Sequence, residues 1–254
     1  MKRNSSAELL EVFGWAEALA QATLGNLLRG YYGRGDAHVI SHLRRQKLIT
    51  AKGRGAQAEF TLTEQGRKRV RVSDPEAHWR REWDGAWRVV TFDLPETRRG
   101  ERKLLWQALR AHRLGLLQRS VWIWPHDVTE LLREIIAVEG VPECFCGFKA
   151  TGLFLCTSAE IVRSAWAWTE ILRRQQQYLR AVAALERAAL AAKGATRLGQ
   201  VARMEKQLHE QATVWDPLLP QSLWPPGYHG REVHQKHQRW LLLLRACLSD
   251  LSHG

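Results

Sequence analysis

Trp87-Arg88-Val89-Val90-Thr91-Phe92-Asp93-Leu94-Pro95 opens the segment on which the fold turns. Six residues rich in β-branched and aromatic side chains, closed by Asp-Leu-Pro, read as a strand that ends in a turn. Beyond it, Leu104, Leu105, Ala108 and Leu109 share one helical face, with Arg98, Arg99, Arg102 and Arg110 around the rest. Ser120-Val121-Trp122-Ile123-Trp124-Pro125 is a second strand, with Val121 and Ile123 on one side and the two Trp on the other. Val128, Leu131, Leu132, Ile135 and Ile136 then repeat at helical spacing, and apolar runs at 144–148 and 152–156 are expected to be two closing strands. Strand, helix, strand, helix, strand, strand predicts a small ferredoxin-like α/β sandwich.

The segment before it is basic. Residues 28–72 hold 11 Lys and Arg against 3 Asp and Glu, most of the excess in a chain of 254 residues with net charge +12. Val39, Ile40, Leu43 and Leu48 recur at near-helical spacing, while His38, His42, Arg44, Arg45 and Lys47 occupy the opposite side. Leu48-Ile49-Thr50, the turn-rich Lys52-Gly53-Arg54-Gly55 and the alternating Phe60-Thr61-Leu62 read as a hairpin with a basic tip. Thr63 is placed to cap a short helix through Gly66. Two further apolar-periodic segments, 7–19 and 22–28, lie upstream. Gly30-Tyr31-Tyr32-Gly33-Arg34-Gly35 follows no strand and lacks a Lys-Ser/Thr pair, so it reads as the turn before the basic helix, not a phosphate loop. Helix, helix, basic helix and basic hairpin make a winged helix-turn-helix pattern. Such a fold sets one helix in the major groove while cationic side chains neutralise phosphates. Arg34, His38, His42, Arg44, Arg45, Lys47, Lys52 and Arg54 are the expected contacts to double-stranded DNA.

Composition excludes other classes. No apolar run exceeds the length of Trp240 to Leu244, far short of the roughly 20 residues of a membrane helix. Glu8, Glu11 and Glu17 interrupt any signal-peptide core, so a cytoplasmic protein with no membrane partner is expected. Four Cys are too few for a disulfide framework. No motif for a cofactor is present.

The blocks Trp83 to Glu96, with Arg99, Arg102 and Leu105 after it, and Gly115 to Pro125 resemble the PaaX family of repressors of phenylacetic acid degradation. Asp216-Pro217-Leu218-Leu219-Pro220, then Leu223-Trp224-Pro225-Pro226 and Gly230, look like that family's C-terminal signature. The resemblance implies a winged helix, a central domain similar to the CRISPR protein Cas2, a homodimer, and release from an operator by an aryl-CoA thioester, typically phenylacetyl-CoA. His38 and His42 stand where family members more often show Ser and Arg.

Cas2-type nucleases hold a metal with an Asp at the end of the first strand, and Asp93 falls at the matching position. Two such carboxylates across a dimer axis could bind Mg²⁺ and activate water, which makes a metal-dependent nuclease with Asp93 as catalytic and metal-binding residue the alternative. The competing role for Asp93 is to cap the helix that starts near Glu96. A third reading is a DNA-binding protein with no small-molecule effector.

Residues 160–192 read as one long helix or two, followed by another around Val201 to Leu208. His229, His234 and His237 approach metal-ligand spacing but fit a solvated helix face better. Trp166, Trp168, Trp215, Trp224 and Trp240 are either a core or the aromatic wall of an effector site. The expected architecture is α+β, with a winged helix-turn-helix at 1–80, a ferredoxin-like, Cas2-like dimerisation domain at 81–157 and a helical effector domain at 158–254. The expected function is transcriptional regulation and not catalysis.

Overall fold

A computed structural model describes residues 19–20, 37–52, 59–66, 75–139 and 145–253. The chain divides into two compact units. One holds residues 1–74, 175–211 and 231–254, and the other holds 75–174 and 212–230. The segment 158–254, expected as one helical domain, contributes residues to both.

In the first unit, β1 (Leu19–Ala20), α1 (Ala37–Arg45), β2 (Ile49–Lys52) and β3 (Glu59–Leu62) form a helix beside a three-stranded antiparallel sheet of order β1-β3-β2. The β2 and β3 register pairs Ile49 with Leu62 and Lys52 with Glu59. Alternation along β2 buries Ile49, half-buries Ala51 and leaves Thr50 and Lys52 exposed. Leu43, Leu48, Ile49 and Phe60 are buried in one core with Leu185, Leu198, Val201, Trp240 and Leu244. The basic helix and hairpin are therefore seated on helices from the far end of the chain.

In the second unit, α2 (Pro75–Arg80) precedes β4 (Trp87–Phe92), α3 (Arg99–Ala111), β5 (Gly115–Gln118), β6 (Val121–Trp124), α4 (Thr129–Glu139) and β7 (Phe145–Ala150). The strands run in the order β5-β6-β4-β7, all neighbours antiparallel, which is the ferredoxin-like arrangement. Two expectations about this sheet are corrected. Gly115 to Gln118 is a strand, paired with β6 through a register shift near Gln118. Residues 152–156 are not a strand: Phe154 and Leu155 are 83% and 99% exposed, so no second layer rewards their pairing.

Both faces of the sheet are covered. Val90, Phe92 and Trp122 pack with Leu105 and Leu109 of α3 and Ile135 of α4. On the other face, Trp87 and Ile123 pack with Ile161, Val162 and Ala165 of α5 (Ser158–Ala165), with Trp168 and Ile171 of α6 (Trp168–Leu190), and with Leu219 and Leu223. Thr157 starts α5 with a reciprocal cap: its hydroxyl accepts from the Glu160 amide at 3.2 Å, and its own amide donates to Glu160 Oε2 at 2.8 Å. The Trp83-Asp84-Gly85-Ala86 block is a structural clamp. Asp84 accepts from both Arg88 Nη1 at 2.6 Å and Nη2 at 2.8 Å, which with Lys149 holds its carboxyl well below the usual range. Gly85 supplies the positive φ of 75° that the turn requires.

Helices α7 (Ala195–Thr213) and α8 (Gly230–His253) follow, and 160–192 is two helices broken at Trp166 and Ala167. Asp216 to Pro226 is an ordered loop around the 3₁₀ turn Gln221–Leu223. No helix among the described residues is long and apolar enough to cross a membrane.

Candidate nucleic-acid interface

The last turn of α1, the corner after it and the far end of β2 carry cations. Arg44, Arg45, Lys47 and Lys52 are all exposed, and His42 is half-buried. Burial of Leu43 and Leu48 in the core below fixes which face of α1 points outward. The helix ends in a Schellman pattern: Leu48 N–H donates to the Leu43 carbonyl and Lys47 N–H to the Arg44 carbonyl, both at 3.0 Å. Lys47 therefore takes the left-handed position usually given to glycine, with φ 55°. A β-carbon there is disfavoured by roughly 1–2 kcal/mol.

Thr63 ties the hairpin back to this corner. Its hydroxyl donates to the Lys47 carbonyl at 2.7 Å and accepts from the Gly66 amide at 3.0 Å, the capping role expected of it. Thr50 and Thr61 share a hydroxyl hydrogen bond at 2.9 Å across the strands. A β-carbon on Gly66 would lie 2.1 Å from the Leu48 carbonyl oxygen, so only glycine lets this turn close. The result is a pinned frame: cations at the end of a helix, next to a two-stranded ribbon. His38 lies in α1, and of its side chain nothing is described. Arg34 and Arg54 lie outside the described residues.

Asp93 is exposed just beyond β4. It caps nothing: the 3₁₀ turn Glu96–Arg98 has Pro95 as its N-cap and α3 has Arg98, neither with a side-chain cap bond. Pro95 sets the turn through its own backbone, and Asp93 sits too far upstream. Among the described residues no three His, Cys, Asp or Glu side chains converge as metal ligands.

The histidines of the C-terminal segment are not uniformly a solvated face. His237 is 7% exposed, and its Nδ1 lies 2.9 Å from Glu205 Oε1. His209 stacks on it with ring centroids 3.6 Å apart, and the Tyr178 hydroxyl donates to the same Glu205 oxygen at 2.7 Å. Nothing in the spacing of these residues signals the cluster, because Tyr178, Glu205 and His237 come from three different helices.

Residues 80–162 match the family described as the PaaX protein central Cas2-like domain. The chain carries the central domain of the PaaX family. That domain spans α2's last residue through the first turns of α5, so the PaaX-type sheet and the two helices on its face all fall within the match. Along 98% of its length the chain also resembles the solved structure of the uncharacterized protein Rv0674 from Mycobacterium tuberculosis, with a TM-score of 0.58, 17% identity and 98% of that chain covered. That likeness concerns the fold alone. No curated protein matches the sequence.

Proposed function

We propose that this protein is a DNA-binding transcriptional regulator that acts in the cytoplasm as a homodimer, repressing an operon for aromatic catabolism until an aryl-CoA thioester releases it. The observation that carries this reading is the exposed set Arg44, Arg45, Lys47 and Lys52, mounted on a helix and a hairpin whose inner faces are locked into one core. A helix end flanked by a ribbon is the shape that winged helix-turn-helix proteins offer to DNA, and the β1-β3-β2 sheet beside α1 suits that assignment. The PaaX-type central domain belongs to a family of regulators, which favours a regulator over a nuclease working through Asp93. A homodimer would set two such helices on successive major grooves. Exposed apolar side chains, Phe148 on edge strand β7 and Leu153, Phe154 and Leu155 in the segment after it, are available for a second copy to cover.

The test is binding to the protein's own promoter region as salt is varied. Removing one phosphate-neutralising cation should reduce the slope of log K against log salt by about 1. Arg44→Ala with Arg45→Ala is expected to weaken binding at low salt and to flatten that slope by about 2. An unchanged slope and affinity would remove these residues from the interface.

A further inference from the structure

The two helices on the first face of the central sheet divide their charge unequally. α3 carries four cations and one carboxylate, whereas α4 carries three carboxylates and one cation. Charges placed for solubility alone would be mixed on both, with opposite signs one turn apart. Arg99, Lys103, Gln107 and Arg110 are exposed and, at about 100° per residue, fall within a quarter-turn of one another. With half-buried Arg102 and Trp106 they line one shallow depression along the helix. The carboxylate of α3, Glu101, is ion-paired with Arg98.

This row works against the helix that carries it. Arg99 and Lys103 set like charges at i and i+4, and cations in the first turns face the positive end of the helix dipole. Arg102 has a structural task, since its guanidinium donates to the Leu94 carbonyl in the turn before α3. Arg110 is held from below. Its guanidinium lies 5.6 Å from the centre of the Trp106 ring, and Trp106 packs edge-on against buried Trp122 with ring centroids 5.5 Å apart. A cation already positioned on a packed ring loses less freedom when it meets an anion than one on an unsupported stem.

We propose that the exposed face of α3 binds the sugar-phosphate backbone of duplex DNA through Arg99, Lys103 and Arg110. The chemistry of the face selects that partner. A phosphate backbone is met by charge alone, through the release of counterions. A helix that lies on a membrane needs an apolar face to insert, and the apolar residues Leu105 and Leu109 of α3 are buried in the sheet core. A protein partner needs an apolar anchor, and the aromatic ring on this row, Trp106, is half-buried with Arg110 over it. From Arg99 to Arg110 the row runs roughly 16 Å, about five phosphate steps of one strand. Phosphate contacts add affinity without sequence preference. That the partner is DNA rests on the regulator reading, but the surface is a separate one, carried by the other unit.

Fluorescence anisotropy tests it, with the full-length protein titrated against its own promoter duplex and an unrelated duplex of equal length as salt is varied. Each phosphate-neutralising cation removed should flatten the slope of log K against log salt by about 0.9. Arg99→Gln with Lys103→Gln and Arg110→Gln is therefore expected to flatten it by about 2.7 on both duplexes. A rise from about 50 to about 200 mM salt should then cost the unaltered protein roughly 40-fold more affinity than the variant. Lys103→Gln with Arg110→Gln, the milder change, should give about 1.8 and roughly 12-fold. Gln keeps the helix propensity of Lys and Arg, and circular dichroism checks the fold of each variant. Arg133→Gln on α4, whose guanidinium Glu130 takes, should leave the slope unaltered. The proposal is overturned by unaltered slopes in both α3 variants, by weaker binding at an unaltered slope, or by a loss confined to the promoter duplex. A face that serves a membrane or an acidic protein gives the first of these results. Flattened slopes in the α3 variants beside an unaltered one in Arg44→Ala with Arg45→Ala would keep this surface and remove α1, and the reverse would keep α1 and remove this surface.

Discussion

Glu205 is fully buried and surrounded by groups that disagree about its charge. Burial raises its pKa from 4.5 to about 7, against nearby His209 and the Tyr178 hydrogen bond, which act to lower it. His237 beside it is pushed down to about 3, first by burial and then by His234 and Lys206, and burial likewise holds His209 well below its ordinary value. The signs are opposite. A carboxyl whose folded pKa is raised stabilises the fold below pH 4.5 and loses that contribution as pH rises through about 7. The histidines, depressed in the fold, stabilise it above their unfolded value near 6.5 and lose that contribution as pH falls. Glu205→Gln keeps an acceptor for Tyr178 and His237 but cannot ionise. It should melt higher than the unaltered protein at about pH 8 and at the same temperature near pH 4.5, while both lose stability on further acidification. Melting curves at the two pH values check this, and an offset that does not vary with pH would show that ionisation of Glu205 is not the cause.

Among the elements, the junction of β5 with α5 leaves no room for a side chain. A β-carbon on Gly115 would sit 2.7 Å from the Trp166 ring and 2.8 Å from the Ala165 β-carbon, so strand and helix approach only because position 115 has no side chain. Gly115→Ala should destabilise the second unit by about 1–3 kcal/mol, the usual cost of overpacking a closed core, and denaturant titration would report it. The same glycine explains what is legible in the sequence. β4 and β6 announce themselves by runs of Val, Ile, Thr and Trp, and α3 and α4 by their spacing. Gly-Leu-Leu-Gln carries no such signal, because its strand character comes from pairing with β6 and from the indole laid against it. The apolar run at 152–156 misleads for the converse reason: hydrophobicity without a partner strand leaves an exposed segment. At the candidate interface, Arg44, Arg45, Lys47 and Lys52 can be read from charge and periodicity. The left-handed corners that Lys47 and Arg113 occupy cannot, since a basic residue there gives no glycine to notice.

At the scale of the whole molecule, the middle of the chain is a sheet sandwiched between two layers of its own polypeptide. One layer, α3 and α4, is local in sequence. The other is assembled from residues 158–171 and 219–228, which lie outside any division of the chain into consecutive blocks. Trp87 and Ile123, each 1% exposed, depend on that second layer. Uncovering a buried Trp exposes roughly 150–250 Å² of largely apolar surface, worth several kcal/mol at about 25 cal/mol per Å². A fragment spanning 75–157 retains every strand of the sheet and both helices of its first face, yet has lost this cover. It should bind a hydrophobic dye such as ANS much more strongly than the full chain does and melt without a sharp transition, whereas the full chain should melt cooperatively. A fragment that melts cooperatively and binds no more dye than the full chain would mean that the sheet needs only its local helices. The C-terminal loop and α5 would then be attachments to the central domain and not part of its core.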